Sequence, residues 1–138
     1  MRPPKLLVVE DNPGDIDLLR RAFKHHSVEI ELETLSDGER ALERIDVIDL
    51  GGETPPDGVL LDLSLPKIDG IEVLQRIRRS SVFGSVPVLV LSGSDNPADK
   101  TRILAAGATK FLVKPSGLYA YLQIGAIVKE MLGRPAIE

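Results

Sequence analysis

Four short apolar runs, each ending in a polar residue, most restrict what this chain can become. Leu6-Leu7-Val8-Val9 ends in Glu10-Asp11, and Leu60-Leu61 in Asp62. Val88-Leu89-Val90-Leu91 ends in Ser92, and Phe111-Leu112-Val113 in Lys114. Nearly continuous runs of Leu and β-branched residues are expected of strands covered on both faces, the condition of a parallel sheet. A fifth segment differs: Val28, Ile30 and Leu32 alternate with Glu29, Glu31 and Glu33, the pattern of a half-exposed edge strand.

Helical patterns fill the intervals. Asn12-Pro13 offers an N-cap and a proline at the first helical position, followed by Ile16, Leu19 and Phe23 on one face. Asp37-Gly38 opens a second helix with Ala41, Leu42, Ile45 and Ile48 inward, stopped by Gly51-Gly52. Asp69 and Glu72 resemble a capping box for a third, carrying Ile71, Leu74 and Ile77. Asn96-Pro97 starts a fourth that ends near Gly107, and Gly117 precedes a last helix from Leu118 to about Leu132. Strand and helix alternate five times, which predicts an α/β fold: a doubly wound, five-stranded parallel sheet in a flavodoxin-like three-layer sandwich. Order 2-1-3-4-5 puts the Glu-rich strand at an edge.

At 138 residues the chain is expected to form a single domain, 1–138. It has no cysteine, which excludes disulfides and thiolate chemistry. Leu6 to Val9 is too short for a signal peptide or a membrane span, so the expected location is cytoplasmic, with no membrane partner. The net charge of -4 argues against DNA as a partner. Arg76-Ile77-Arg78-Arg79 reads as a solvated helix end favourable to the dipole, as does His25-His26. Ser80-Ser81 reads as loop, and Gly51 to Gly58, with Pro55-Pro56, as an extended surface segment.

The polar residues that end the strands all fall at one sheet edge, where open α/β sheets bind ligands. Clustered carboxylates repel one another unless a cation is shared. Oxygen donors with one lysine nearby suit Mg²⁺ and a phosphoryl group rather than a thiolate metal.

Glu10-Asp11, Asp62 with Leu65-Pro66 and Asp69-Gly70, Ser92, and Lys114-Pro115 occur in order, each motif at a strand end. In this the chain resembles the receiver domains of two-component response regulators over nearly its whole length. Its length, its Glu10-Asp11-Asn12-Pro13-Gly14-Asp15 opening and the Gly51 to Gly58 segment are most similar to single-domain regulators paired with bacterial phytochrome kinases. The resemblance implies that Asp62 accepts a phosphoryl group from the phosphohistidine of a sensor histidine kinase, and that no output domain follows. It implies Mg²⁺ held by Asp11, Asp62 and the Ser64 carbonyl, with Glu10 acting through water. Lys114 would pair with Asp62 at rest and with the phosphoryl group afterwards, aimed by a cis peptide before Pro115. Ser92 would donate its hydroxyl to the phosphate, and Phe111 would occupy the space that Ser92 vacates; a phenylalanine cannot fix that rotamer with a hydroxyl bond, as a tyrosine could.

Bland readings compete at each position: helix capping for Glu10 and Asp11, a turn for Asp62 or Ser92, a solvated charge for Lys114, core packing for Phe111. An unpaired charge behind buried residues is costly, which favours a role for Asp62. A Mg²⁺-dependent phosphohydrolase would need a second aspartate where Ser64 stands, and an unphosphorylated receiver-like dimer would not need the full set of acids and lysine. From Pro115 to Val128 there is no charged residue. With Leu118, Leu122, Gly125 and Val128 facing the sheet, Tyr119, Tyr121, Ile124 and Ile127 are left as an apolar surface, which predicts a homodimer through the fourth helix, fifth strand and fifth helix.

Overall fold

The computed structural model describes residues 2–64 and 68–133. The Leu65-Pro66 pair lies outside the described residues. The strands are β1 Lys5–Val9, β2 Glu31–Leu35, β3 Gly58–Asp62, β4 Val88–Ser92 and β5 Lys110–Val113. The helices are α1 Pro13–His25, α2 Gly38–Gly51, α3 Gly70–Arg79, α4 Pro97–Ala105 and α5 Leu118–Met131. All four strand pairings are parallel and the order is β2-β1-β3-β4-β5, as the sequence predicts.

Burial follows the two strand patterns. Every residue of β3 and of β4 is buried, whereas β2 is exposed or half-buried along its length. On one face Leu6, Val8, Leu60, Leu89 and Leu91 pack against Leu19 and Phe23 of α1 and Tyr121, Ile124 and Val128 of α5. On the other, Leu7, Val9, Val59, Leu61, Val88 and Val90 pack against α2, α3 and α4 through residues such as Ala41, Ile45, Leu74, Ile77 and Ile103. Burying one such Leu or Ile is worth about 1.5–3 kcal/mol, so the two slabs dominate the stability of the sandwich.

Helix starts follow the cap residues. The Asn12 side chain accepts from the N–H of Gly14 and of Asp15, Asp37 from Arg40, Asp69 from Ile71 and Asn96 from Ala98. Each satisfies an orphan donor of a first turn. Gly52 ends α2 at φ 74°, a left-handed cap that glycine adopts without strain.

Three expectations need correction. Strand β2 starts at Glu31 rather than Val28: Ser27 takes a positive φ, the Val28 N–H still bonds to the Phe23 carbonyl, and the ladder opens only where Glu31 meets Lys5. Val28 and Ile30 nevertheless pack on the α1/α5 core. No cis peptide occurs among the described residues, so the bond before Pro115 is trans. On α5 the inward stripe is Tyr121, Ile124, Gly125 and Val128, so two of the four expected surface residues lie in the core. Tyr121 is 2% exposed and Ile124 1%, Ile127 is half-buried against the same core, and only Tyr119, at 79%, is open. The cause is α1. A Cβ on Gly125 would stand 2.5 Å from the Ala22 carbonyl oxygen, so the two helix backbones meet with no room for a side chain between them and α1 covers that stripe. Leu118, expected inward, is instead 48% exposed, and Leu122 is only half-buried.

Candidate functional site: an acidic cleft at the sheet edge

The chain leaves β1 toward β2 on one side and reaches β3 on the other, so the crevice where strand order reverses lies between β1 and β3. Glu10 and Asp11 follow β1 directly, and Asp62 ends β3. Oxygens of Glu10, Asp11 and Asp62 all lie within 4.8 Å of one another, an arrangement that could hold a metal ion. Glu10 is 1% exposed and Asp62 fully buried, while Asp11 faces solvent.

Lys114, one residue past β5, reaches across β4 into this cluster. Its Nζ stands 2.7 Å from Asp62 Oδ2, 3.1 Å from Asp15 Oδ2 and 3.5 Å from Glu10 Oε1. Its own N–H bonds to the Ser92 carbonyl, which anchors the backbone from which the side chain projects. Burial alone would lower the lysine's pKa, but the hydrogen bonds to Asp62 and Asp15 outweigh it and the net shift is upward. The ammonium therefore stays charged throughout the neutral range. The second oxygen of Asp62, Oδ1, accepts from the Ser64 N–H at 2.9 Å.

Glu10 carries the strain of this crowding. Burial first, and then the charge of Asp62, push its carboxyl up to about 7 against the opposing pull of the Asn12 N–H and of Lys114. A divalent cation would relieve that repulsion, and an all-oxygen, carboxylate-rich donor set suits a hard cation such as Mg²⁺.

The other expected residues take their places less directly. Ser92, 6% exposed, is next to the β3–β4 pairing of Asp62 with Leu91; its hydroxyl accepts from the Ser94 N–H at 3.1 Å. Val90 and Phe111 are register partners, and Phe111 lies partly buried against the α2–α4 core. Two residues that the sequence reading did not assign to the site also belong to this corner. Asp15 has a spacing signal, standing one helical turn after Asp11 at the start of α1. Tyr121 has none, because only the α1–α5 packing turns it inward.

The family model of the response regulator receiver domain matches residues 6–124. The chain belongs to that family of two-component signalling proteins. Among its relatives is the probable methanogenesis regulatory protein FilR2 of Methanothrix harundinacea, 40% identical over 110 residues that cover 80% of this chain and 71% of that protein. The chain spans less than half the length of the mycobacterial response regulators it also matches. The phosphorylated cyanobacterial phytochrome response regulator RcpA is similar with a TM-score of 0.84 and 33% identity, covering 96% of each chain. The Mn²⁺-bound form of response regulator Rcp1 gives 0.83 and 30%, covering 96% of this chain and 97% of that one. Among the described residues, no helix is long and apolar enough to cross a membrane.

Proposed function

We propose that this protein is a phosphorylation switch whose acceptor is Asp62, loaded by a sensor histidine kinase of the phytochrome type and read out by protein contact. The observation that carries the reading is the Lys114 ammonium 2.7 Å from a fully buried Asp62 carboxylate, beside Glu10 and Asp11. A carboxylate is a weak nucleophile, so rate must come from positioning and charge neutralisation. An Asp62 oxygen attacks phosphorus; the O–P bond forms as the bond to the phosphohistidine nitrogen breaks, and the imidazole leaves with that electron pair. Glu10, Asp11 and Asp62, with the Ser64 carbonyl, would hold Mg²⁺, which when bound supplies positive charge against the transferring phosphoryl oxygens. Lys114 then turns to one of those oxygens, and the Ser92 hydroxyl to another. Ser92 and Phe111 are two register steps apart on adjacent strands, which supports Phe111 as the residue that fills the space Ser92 leaves.

The kinase preference rests on likeness to RcpA and Rcp1 across nearly the full length of each. A cytoplasmic location and a homodimer through α4, β5 and α5 complete the proposal. The exposed large apolar residues described on those elements are Leu104, Val113, Leu118 and Tyr119. The decisive experiment is incubation with acetyl phosphate, with and without Mg²⁺, on the native chain and on Asp62→Asn. Mg²⁺-dependent, base-labile label on the native chain alone is the expected result. Label retained by Asp62→Asn would place the acceptor elsewhere, and rapid multiple turnover with release of inorganic phosphate would favour a phosphohydrolase.

A further inference from the structure

Both oxygens of Asp62 are engaged in this structure, Oδ1 by the Ser64 N–H and Oδ2 by the Lys114 ammonium. Lys114 must leave Asp62 Oδ2 to meet the transferring phosphoryl group, and its ammonium, three-quarters withdrawn from solvent, would be costly without a counterion during the move. Asp15 meets that need. Its carboxylate is 19% exposed, lies 3.1 Å from the same Nζ, and comes from the first turn of α1, where Asn12 holds the Asp15 N–H.

A second observation points to the same corner. The Tyr121 hydroxyl, on a side chain only 2% exposed, has no hydrogen-bond partner among the described residues. It lies within electrostatic reach of Asp15, Glu10, Lys114 and Asp62: burial raises its pKa, and the charge of Asp15 is the next largest cause. A buried phenol without a partner is a standing cost, and the Asp15 carboxylate, whose charge this hydroxyl feels, has only a shared claim on one lysine.

Resting on the phospho-acceptor reading, we infer that Asp15 is a positioning residue for phosphoryl transfer: it receives the Lys114 ammonium as Asp62 Oδ2 is released, and the Tyr121 hydroxyl becomes its donor once Lys114 has moved to the phosphoryl group. Asp15 touches neither phosphorus nor metal in this scheme and acts only through Lys114.

The test is labelling with acetyl phosphate, in which the Asp62 O–P bond forms as the bond to acetate breaks and acetate leaves with the electron pair. Asp15→Asn should slow transfer at saturating donor about tenfold, within the range by which contacting charged pairs couple, and leave KM for acetyl phosphate within about twofold. Asp15→Glu should recover part of the rate, and Tyr121→Phe should shorten the lifetime of the phosphoryl group. In a Lys114→Ala background Asp15→Asn should be silent. Urea unfolding of the four unphosphorylated proteins of that cycle should show Asp15 and Lys114 to be coupled. An unchanged or faster rate in Asp15→Asn, an equal loss in both backgrounds, or no coupling in the cycle would overturn the role of Asp15 while Asp62 remained the acceptor. Absence of label from the native chain would instead bring down the reading beneath it, and the role of Asp15 with it.

Discussion

Replacing Glu10 with glutamine should make the metal-free protein more stable, and by an amount that depends on pH in a defined way. The folded carboxyl titrates near 7, against 4.5 for the free side chain, because it is buried beside Asp62. Between those values the folded state holds a proton that the unfolded state has released. Stability from this group is therefore complete below about pH 4.5 and is lost as pH rises through 7. That upward displacement corresponds to at most roughly 3 kcal/mol. Urea unfolding in the presence of a chelator, at intervals from pH 5 to pH 8.5, should show the native chain falling behind Glu10→Gln by up to that amount. The difference between the two proteins removes the contribution of groups they share. Added Mg²⁺ should close the gap by binding the native carboxylates more tightly than the variant's, with a gain that grows as RT ln(1 + [Mg²⁺]/Kd). A stability difference that does not change between pH 5 and pH 8.5 would refute the reasoning, since it would mean that Glu10 is not crowded by Asp62.

Gly125→Ala should destabilise the fold by up to about 2 kcal/mol in urea unfolding, because the new methyl meets the Ala22 carbonyl and overpacking of up to about 3 kcal/mol exceeds the gain of about 1 kcal/mol in helix propensity. Arg78→Met should cost on the order of 3 kcal/mol, as it strips donors from the carbonyls of Gly107 and Val86, and lysine, which lacks the planar fork, should not restore it. Tyr119→Glu should abolish the proposed dimer in sedimentation at micromolar protein without lowering urea stability, since Tyr119 is 79% exposed; an unchanged sedimentation coefficient would remove α5 from the interface.

The sheet was legible because its rules are local. A run such as Val88 to Leu91 can be satisfied only between two covering layers, and a proline after asparagine marks a helix start whatever surrounds it. Strand order followed from one contrast, the alternating Glu pattern of β2 against the unbroken runs elsewhere. The acids and the lysine were legible for the same reason, as each stands within a residue or two of the end of its strand, and a parallel sheet brings strand ends together. What could not be read was packing at the next level. Nothing in Tyr119-Ala120-Tyr121 says which tyrosine is buried; that depends on the side from which α1 approaches, and the approach depends on a glycine one turn later.

The same helix contact connects the misread residue to the chemistry. α1 carries Asp15 at its first turn and Ala22 two turns on; α5 carries Tyr121 and Gly125 one turn apart. The close approach of Ala22 to Gly125 fixes the spacing of the two helices at one end, and the Tyr121 ring, buried between α1 and the sheet, fixes it at the other. A charge that moves within the cleft therefore acts on an interface with little slack. If Lys114 leaves Asp15 for a phosphoryl oxygen, the hydroxyl that can compensate Asp15 belongs to α5. Tyr119, the most exposed aromatic residue of that helix, is two residues before it. This gives the proposed partner surface a second physical link to Asp62, through α1 and α5, besides the one through Ser92 and Phe111. The two are separable: Phe111→Ala should weaken the link through Ser92 without altering Lys114, and Tyr121→Phe should weaken the link through α1 and α5 without altering Ser92.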